Sequence, residues 1–205
     1  MNHSRGLLII FSGPSGSGKG TVLKRYFEKY SNAQLSISAT TRDPRPGEKD
    51  GVSYYFVSQE KFQSMQENDE LLESAKYCDH CYGTPKKPIE NWLNEGKDVF
   101  LEIEVQGGAQ IQKKVPQSVG IFNLPPSLKV LESRLRGRGT ETEEVVEKRL
   151  ATAKQEISQA VHYDYLLIND DIEQAVEELA QIINAEKMRS SRNQDLIERM
   201  LENHD

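Results

Sequence analysis

Cysteine is scarce in this chain, whose 205 residues carry two, Cys78 and Cys81. Two thiols so close together cannot staple a fold, so a disulfide scaffold is excluded and a reducing compartment is the simpler expectation. Long apolar runs are missing as well. The opening segment MNHSRGLLIIF leads from a short apolar run directly into a glycine-rich loop. That run is far below the roughly 20 residues of a membrane helix, and no small-residue cleavage site follows it. A cytoplasmic protein with no membrane contact is expected. Positive charge is not in excess either: 26 Lys and Arg stand against 32 Asp and Glu, a net charge of −6. This argues against non-specific nucleic-acid binding but leaves room for a local arginine cluster. Hydrophobic residues make up only 36% of the chain. They fall in well-spaced groups, so a folded core is expected, of a size that suits one compact α/β domain with small inserted lobes.

The order of elements supports that reading. Residues 7–11 form a continuous apolar run, as a buried parallel strand does. Residues 12–18 read as a loop. Beyond Lys19, apolar residues recur at Val22, Leu23, Tyr26, Phe27 and Tyr30, which is helical spacing. Short strands are expected at 35–39 and 54–57, separated by a charged, turn-rich stretch, and Ser58 is placed to cap a short helix. Residues 71–84 have weak periodicity and receive no element. A helix is expected over 88–95, with Trp92 packing the inserted lobe. Residues 99–105 alternate apolar with Phe100, Glu102 and Glu104, which predicts a strand delivering carboxylates at its end. Further strands are expected at 119–124 and 165–168, and helices begin at Ser127, Thr142 and Asp171, the second running to about residue 163. Strands alternating with helices imply a parallel sheet covered on both faces. The charged tail beyond residue 185 carries a thin apolar stripe, Leu196, Ile197, Met200 and Leu201. It reads as a solvated helix, with a homo-oligomer contact as the alternative.

The strongest local signal is Gly13-Pro14-Ser15-Gly16-Ser17-Gly18-Lys19, which fits GxxxxGK. Such a loop turns tightly so that backbone N–H groups meet phosphate oxygens, and the next helix adds its N-terminal dipole. Lys19 would reach the transferred phosphate as a point charge. The next residue is Gly20, followed by Thr21, so the usual hydroxyl ligand of Mg²⁺ is missing from its standard place. The metal would then be held mainly by nucleotide oxygens and waters, with no direct protein ligand assigned. Arg42 and Arg45, stiffened by Pro44 and Pro46, suit a fixed dianion; a solvated basic loop is the alternative. Arg134 and Arg138 share a helix face and Arg149 lies on the next helix, with salt bridges to Glu132, Glu141 and Glu144 as the alternative for each. Cys78-Asp79-His80-Cys81 does not have zinc spacing and reads as loop.

Several of these segments together, SATTRDPRPGEKDGVSYYFVS, Glu73, Tyr82-Gly83-Thr84, LEIEVQG and RGRGTETEE, resemble guanylate kinase in order and spacing, from the phosphate loop to about Asp170. The resemblance implies a P-loop NTPase-type parallel-sheet core (1–35, 96–126 and 160–205), an inserted GMP-binding lobe (36–95) and a helical lid (127–159). It implies transfer of the γ-phosphoryl of ATP, with Mg²⁺, to GMP. Residues 13–21 would bind ATP, and Asn169 would touch the adenine or serve as a turn residue. Arg42, Arg45, Tyr54 and Tyr82 look like ligands of the GMP phosphate, and Ser38, Glu73 and Thr84 like readers of the guanine. A carboxylate at Glu73 accepts from guanine N1–H and N2–H₂, whereas adenine presents an acceptor at N1. Taken without the family, Glu73 would be an ordinary helix-surface glutamate. Glu104 stands where the family usually has aspartate. Arg134, Arg138 and Arg149 would close over the ATP phosphates. A peptide-binding module of the same likeness would lack the phosphate loop, and a kinase for another acceptor would not need Glu73 or the arginine pair.

Overall fold

The computed structural model of the protein describes residues 5–77, 79–137 and 142–202. Strand β1 (Leu8–Ser12) runs into the glycine loop and α1 (Lys19–Lys29) leaves it. After β2 (Ala33–Leu35) come the short elements β3 (Ala39–Thr40), β4 (Tyr55–Phe56), α2 (Gln59–Glu67), β5 (Leu71–Tyr77) and β6 (His80–Pro85). Helix α3 (Lys86–Asn94) returns the chain to β7 (Asp98–Glu102), α4 (Val105–Lys114) and β8 (Val119–Leu124). The paired helices α5 (Leu128–Arg136) and α6 (Glu143–Ser158) precede β9 (Tyr165–Ile168), α7 (Ile172–Met188) and α8 (Gln194–Glu202).

The central sheet has five strands in the order β2-β7-β1-β8-β9, all parallel. Every residue of β1 is buried, because helices cover both faces. Its side chains divide between two cores. Ile9 and Phe11 pack with Val22, Leu23 and Tyr26 of α1 and with Val176, Leu179 and Ile183 of α7. Leu8 and Ile10 pack the other way, onto Ile89 and Leu93 of α3 and Ile111 of α4. Burying each such side chain contributes about 1.5–3 kcal/mol relative to exposure, so the double-sided strand is a strong organiser of the fold. Because β1 sits at the centre of the sheet, the loop that follows it opens at the middle of the strands' C-terminal edge.

A second, four-stranded sheet, β4-β3-β6-β5, is built from the middle of the chain and is mostly antiparallel. Its small core is Ala39, Phe62, Met65 and Leu71, roofed by α2, which the Ser58 hydroxyl caps by accepting from Lys61 N at 3.2 Å. Helices α5 and α6 form their own cluster through Leu131, Leu135, Val146 and Ala153.

Several segments differ from the sequence expectation. In place of one strand over 35–39, β2 ends at Leu35 and β3 begins at Ala39, each in a different sheet. Residues 71–84, left without an element, form the β5–β6 hairpin, whose turn uses Asp79 in the left-handed region (φ 65°) rather than glycine. The strand expected over 99–105 stops at Glu102, and α4 begins at Val105. Val99, Phe100 and Leu101 are all buried, so the apparent alternation was not a one-face pattern. Helix α4 was hidden by Gly107 and Gly108, poor helix formers present for close packing. A Cβ on Gly108 would stand 2.7 Å from the Tyr163 hydroxyl. Trp92 packs against a cluster that joins Leu72 of β5 to Leu8 and Ile10 of β1 and to its helix neighbours Ile89 and Leu93.

Candidate active site

The glycine loop is held open from behind. Gly13 (φ 151°) and Gly18 (φ 88°) take backbone conformations that side chains avoid, and neither has room for one: a Cβ would lie 2.2 Å from the Asn123 carbonyl oxygen and 2.4 Å from Asn169 Nδ2 respectively. The Ser17 carbonyl accepts from Asn169 Nδ2 (2.8 Å), Asn123 Nδ2 (3.0 Å) and Arg134 Nη1 (3.4 Å). Asn123 Nδ2 also donates to Ser17 Oγ at 3.0 Å. The Ser17 carbonyl is thus engaged from behind the loop by three donors, which fixes the loop's path along the cleft. Asn123 was not singled out from sequence. A polar residue inside the apolar run VGIFNL, at the C-terminal end of a buried strand, was the available signal.

Lys19 lies at the start of α1, its ammonium donating to the carbonyls of Gly13 (2.6 Å) and Pro14 (3.3 Å). Burial lowers its pKa, opposed by the carboxylates of Glu102, Glu156 and Glu104. Beside it, a Cβ on Gly20 would stand 3.8 and 3.9 Å from the two Glu102 carboxylate oxygens. The place a hydroxyl side chain would fill thus adjoins a carboxylate delivered by β7. Burial within the cleft walls raises the Glu102 pKa, and Lys19 pulls it back down. Thr21 is exposed in the first turn of α1.

Two cavities meet in front of this loop. One, about 420 Å³, is lined by Gly13, Ser15, Lys19, Ser53 and Glu156 among others. The other, about 280 Å³, reaches into the small sheet, past Tyr82 and Ala75 to Glu73 and Gly107. Ser38, Tyr54, Glu102, Ile103 and Glu104 line both, so the two are halves of one cleft. A cavity of about 470 Å³ at the other edge of the sheet, under α8, is lined in part by Lys187 and Arg192. Those cations pair with Asp98 (2.6 Å) and Glu186 (2.9 Å), so that region is a structural ionic network.

In the inner half of the cleft the expected site residues come together. Glu73 lies on β5 rather than on a helix surface, 6% exposed, and its Oε1 accepts from the Thr84 hydroxyl at 2.6 Å. Burial raises the Glu73 pKa; the Thr84 hydrogen bond and Lys114 lower it, and Glu104 adds to the rise. Thr84 is fully buried, so its hydroxyl positions Glu73. Gly107 completes the wall, since a Cβ there would approach Glu73 Oε2 to 3.1 Å. Arg42 pairs with Glu48 (2.9 Å) and lies over the Tyr54 ring, 5.4 Å from its centroid. Tyr54 and Tyr82 meet edge to face at 6.1 Å, and Glu48, with Tyr82 adding to it, raises the Arg42 pKa. Arg45 is exposed on the same loop, its backbone N–H donating to Glu48. Glu104 is the residue preceding α4 and faces both cavities.

On the paired helices, Arg134 reaches the loop directly and also donates to the Asn169 carbonyl at 3.0 Å. Asn169 itself is buried, with its amide against the loop. Arg149 lies half-buried on α6. Arg136 turns away to Glu132 and Glu143. Arg138 lies outside the described residues, as does Cys78; Cys81 is a free thiol. Among the described residues no group of three or more His, Cys, Asp or Glu is placed to hold a metal ion, and no helix is long and apolar enough to cross a membrane.

Comparison with known proteins decides the family. The family pattern described as Guanylate kinase matches residues 5–186. The guanylate kinase of Desulfitobacterium hafniense (strain Y51) is 50% identical over 192 residues, covering 94% of this chain and 96% of that one. The chain belongs to the guanylate kinase family. The guanylate kinase of Caldanaerobacter subterraneus subsp. tengcongensis is 52% identical over 192 residues, with 94% and 93% covered. The crystal structure of guanylate kinase from Anaplasma phagocytophilum superposes with a TM-score of 0.78 at 33% identity, over 100% of this chain and 97% of that one. Like other guanylate kinases, this chain is an ATP:GMP phosphotransferase, taking ATP and GMP to ADP and GDP. The guanylate kinase fold here is the expected α/β parallel-sheet core.

Proposed function

We propose that the two-part cleft is where the transfer takes place, with ATP phosphates on the loop and GMP in the small sheet. The observation that carries this reading is the shared wall: Ser38, Tyr54, Glu102, Ile103 and Glu104 border both halves, so a donor phosphate at Lys19 and an acceptor phosphate near Tyr54 would occupy one continuous cleft. Residues 13–21 hold the donor through backbone N–H groups and Lys19, and Asn169 and Asn123 hold the loop. Arg42, Arg45, Tyr54 and Tyr82 hold the GMP phosphate. Glu73 reads the guanine donors with Thr84 setting its orientation, and Ser38 lies at the junction. Arg134, Arg138 and Arg149 neutralise charge on the transferring group.

In this reading the core is residues 1–35, 96–126 and 160–205, the acceptor lobe begins at 36, and the lid is 127–159. The lobe runs to residue 95, and its last helix, α3, packs Ile89 and Leu93 into the cluster that holds Leu8 and Ile10. The acceptor is a phosphate oxygen already ionised at neutral pH, so positioning and charge neutralisation suffice without a general base.

The site suits Mg²⁺. Glu102, Glu104 and Glu156 all bear on Lys19, and so many carboxylates beside a phosphate chain call for a cation between them. Glu102, standing over Gly20, and Glu104 would hold the ion's water shell. The ion, when bound, would supply positive charge to offset that of the phosphates. A cytoplasmic location fits these substrates. A coupled ADP-release assay with ATP, Mg²⁺ and a panel of nucleoside monophosphates tests the reading: turnover is expected with GMP and not with AMP, CMP or UMP, and equal turnover with AMP would remove the Glu73 assignment.

A further inference from the structure

One cleft carboxylate is given no contact with substrate or metal waters in that scheme. Glu156 is two residues from the C-terminal end of α6, yet its side chain lines the donor half of the cleft beside Gly13, Ser15 and Lys19. Its carboxylate faces the Ser15 backbone N–H and is drawn by Lys19 while Glu104 repels it. These are groups a phosphate chain would take. An α-helix turns 100° per residue, so Glu156 and Arg149, seven apart, project within about 20° of each other and about 10 Å apart along the axis. They flank Ala153, which packs against α5 with Val146. One face of α6 therefore carries an anion placed in the phosphate cradle and, two turns away, a cation.

We propose that Glu156 is a positioning residue that latches the lid helix: its carboxylate competes with the ATP phosphates for Ser15 N–H and Lys19, and its displacement by ATP lets α6 move so that Arg149 comes over the phosphates. The proposal rests on the assignment of the loop to ATP. Two anions cannot share one set of donors a few ångströms apart without large repulsion. Part of the ATP binding free energy therefore goes into releasing the latch, and lid movement follows ATP occupancy. A latch of this kind weakens the apparent ATP affinity by the fraction of molecules in which it is released.

The test is calorimetric titration of Glu156→Gln, Glu156→Ala and Lys19→Ala with Mg²⁺ and a non-hydrolysable ATP analogue, and separately with inorganic tripolyphosphate. Both Glu156 variants are expected to bind each probe about 5–10-fold more tightly than wild type. The KM for ATP falls by a similar factor, and the KM for GMP stays put. Amide hydrogen exchange over 143–158, measured before nucleotide is added, is expected to speed up in Glu156→Ala and to return to wild-type rates with the analogue. Unchanged or weaker analogue binding in both Glu156 variants overturns the latch, and weaker binding would instead mean that the carboxylate helps to hold Mg·ATP. Unchanged exchange overturns the lid coupling. If Lys19→Ala binds tripolyphosphate normally, the loop assignment itself fails. If Lys19→Ala loses binding while neither Glu156 variant gains it, the latch alone fails.

Discussion

Across the cleft, the two substrate halves are made of different material. In the proposed reading the donor half is backbone: a glycine loop whose Ser17 carbonyl is tied down by Asn123, Asn169 and Arg134. The acceptor half is side chain: Arg42, Tyr54, Glu73 and Tyr82 come from separate strands and loops of a small sheet whose core includes Ala39, Phe62, Met65 and Leu71. A backbone cradle binds any phosphate chain alike, whereas a side-chain cradle can tell one base from another. In the proposed reading, affinity for ATP and selection of GMP are thus placed in different parts of the fold.

The largest expected effect should divide the halves cleanly. Lys19→Ala removes the cation carried by the loop's own helix, and kcat is expected to fall about 10²–10³-fold, the usual magnitude for a preplaced electrostatic group. GMP affinity, measured by equilibrium titration, should stay within about twofold, since the acceptor half is untouched. A comparable loss of GMP binding would mean the halves are not independent.

Next in size is Glu73→Gln. Replacing an acceptor oxygen with an NH₂ group facing guanine's donors is expected to cost about 2–3 kcal/mol of GMP-over-AMP discrimination, read as the ratio of kcat/KM values. An unchanged ratio would remove Glu73 as the reader. Smaller again is Asn123→Ala. Ser17 O keeps two other donors, so the expected cost is about 1–2 kcal/mol of unfolding free energy in a denaturant titration, with a raised KM for ATP and an unmoved KM for GMP.

The contrast also explains what was legible in the sequence. A backbone site needs glycines in fixed order at one place in the chain, and Gly13, Gly16, Gly18 and Lys19 announce it. A side-chain site is assembled by topology, so Glu73 carries no local mark. Its segment has weak periodicity, and only the likeness to a family singled it out. The β5–β6 hairpin that buries it was missed because Asp79 makes the turn without glycine. Helix α4 was missed because Gly107 and Gly108 trade helix propensity for close approach to Glu73 and Tyr163. Glu156 and Asn123 escaped for the same reason as Glu73: each acts on the loop from a distant element, and no spacing rule links them to it.

The smallest expected effect separates binding from stability within Glu73 itself. Its folded pKa is raised above the ordinary 4.5, chiefly by burial. The ionised form is the one that accepts from guanine, so the KM for GMP should rise as pH falls through the folded pKa, at a higher pH than an exposed glutamate would require. Stability should run the other way. Between 4.5 and the folded pKa the native state holds more protons at this carboxyl than the unfolded chain does. This group's contribution to unfolding free energy is therefore fully present below 4.5 and is lost as pH rises through that window. Glu73→Gln should flatten both trends, a few-fold in KM across the window and a correspondingly small change in the urea midpoint. If the variant keeps the wild-type pH dependence of the GMP KM, Glu73 is not the group that sets it.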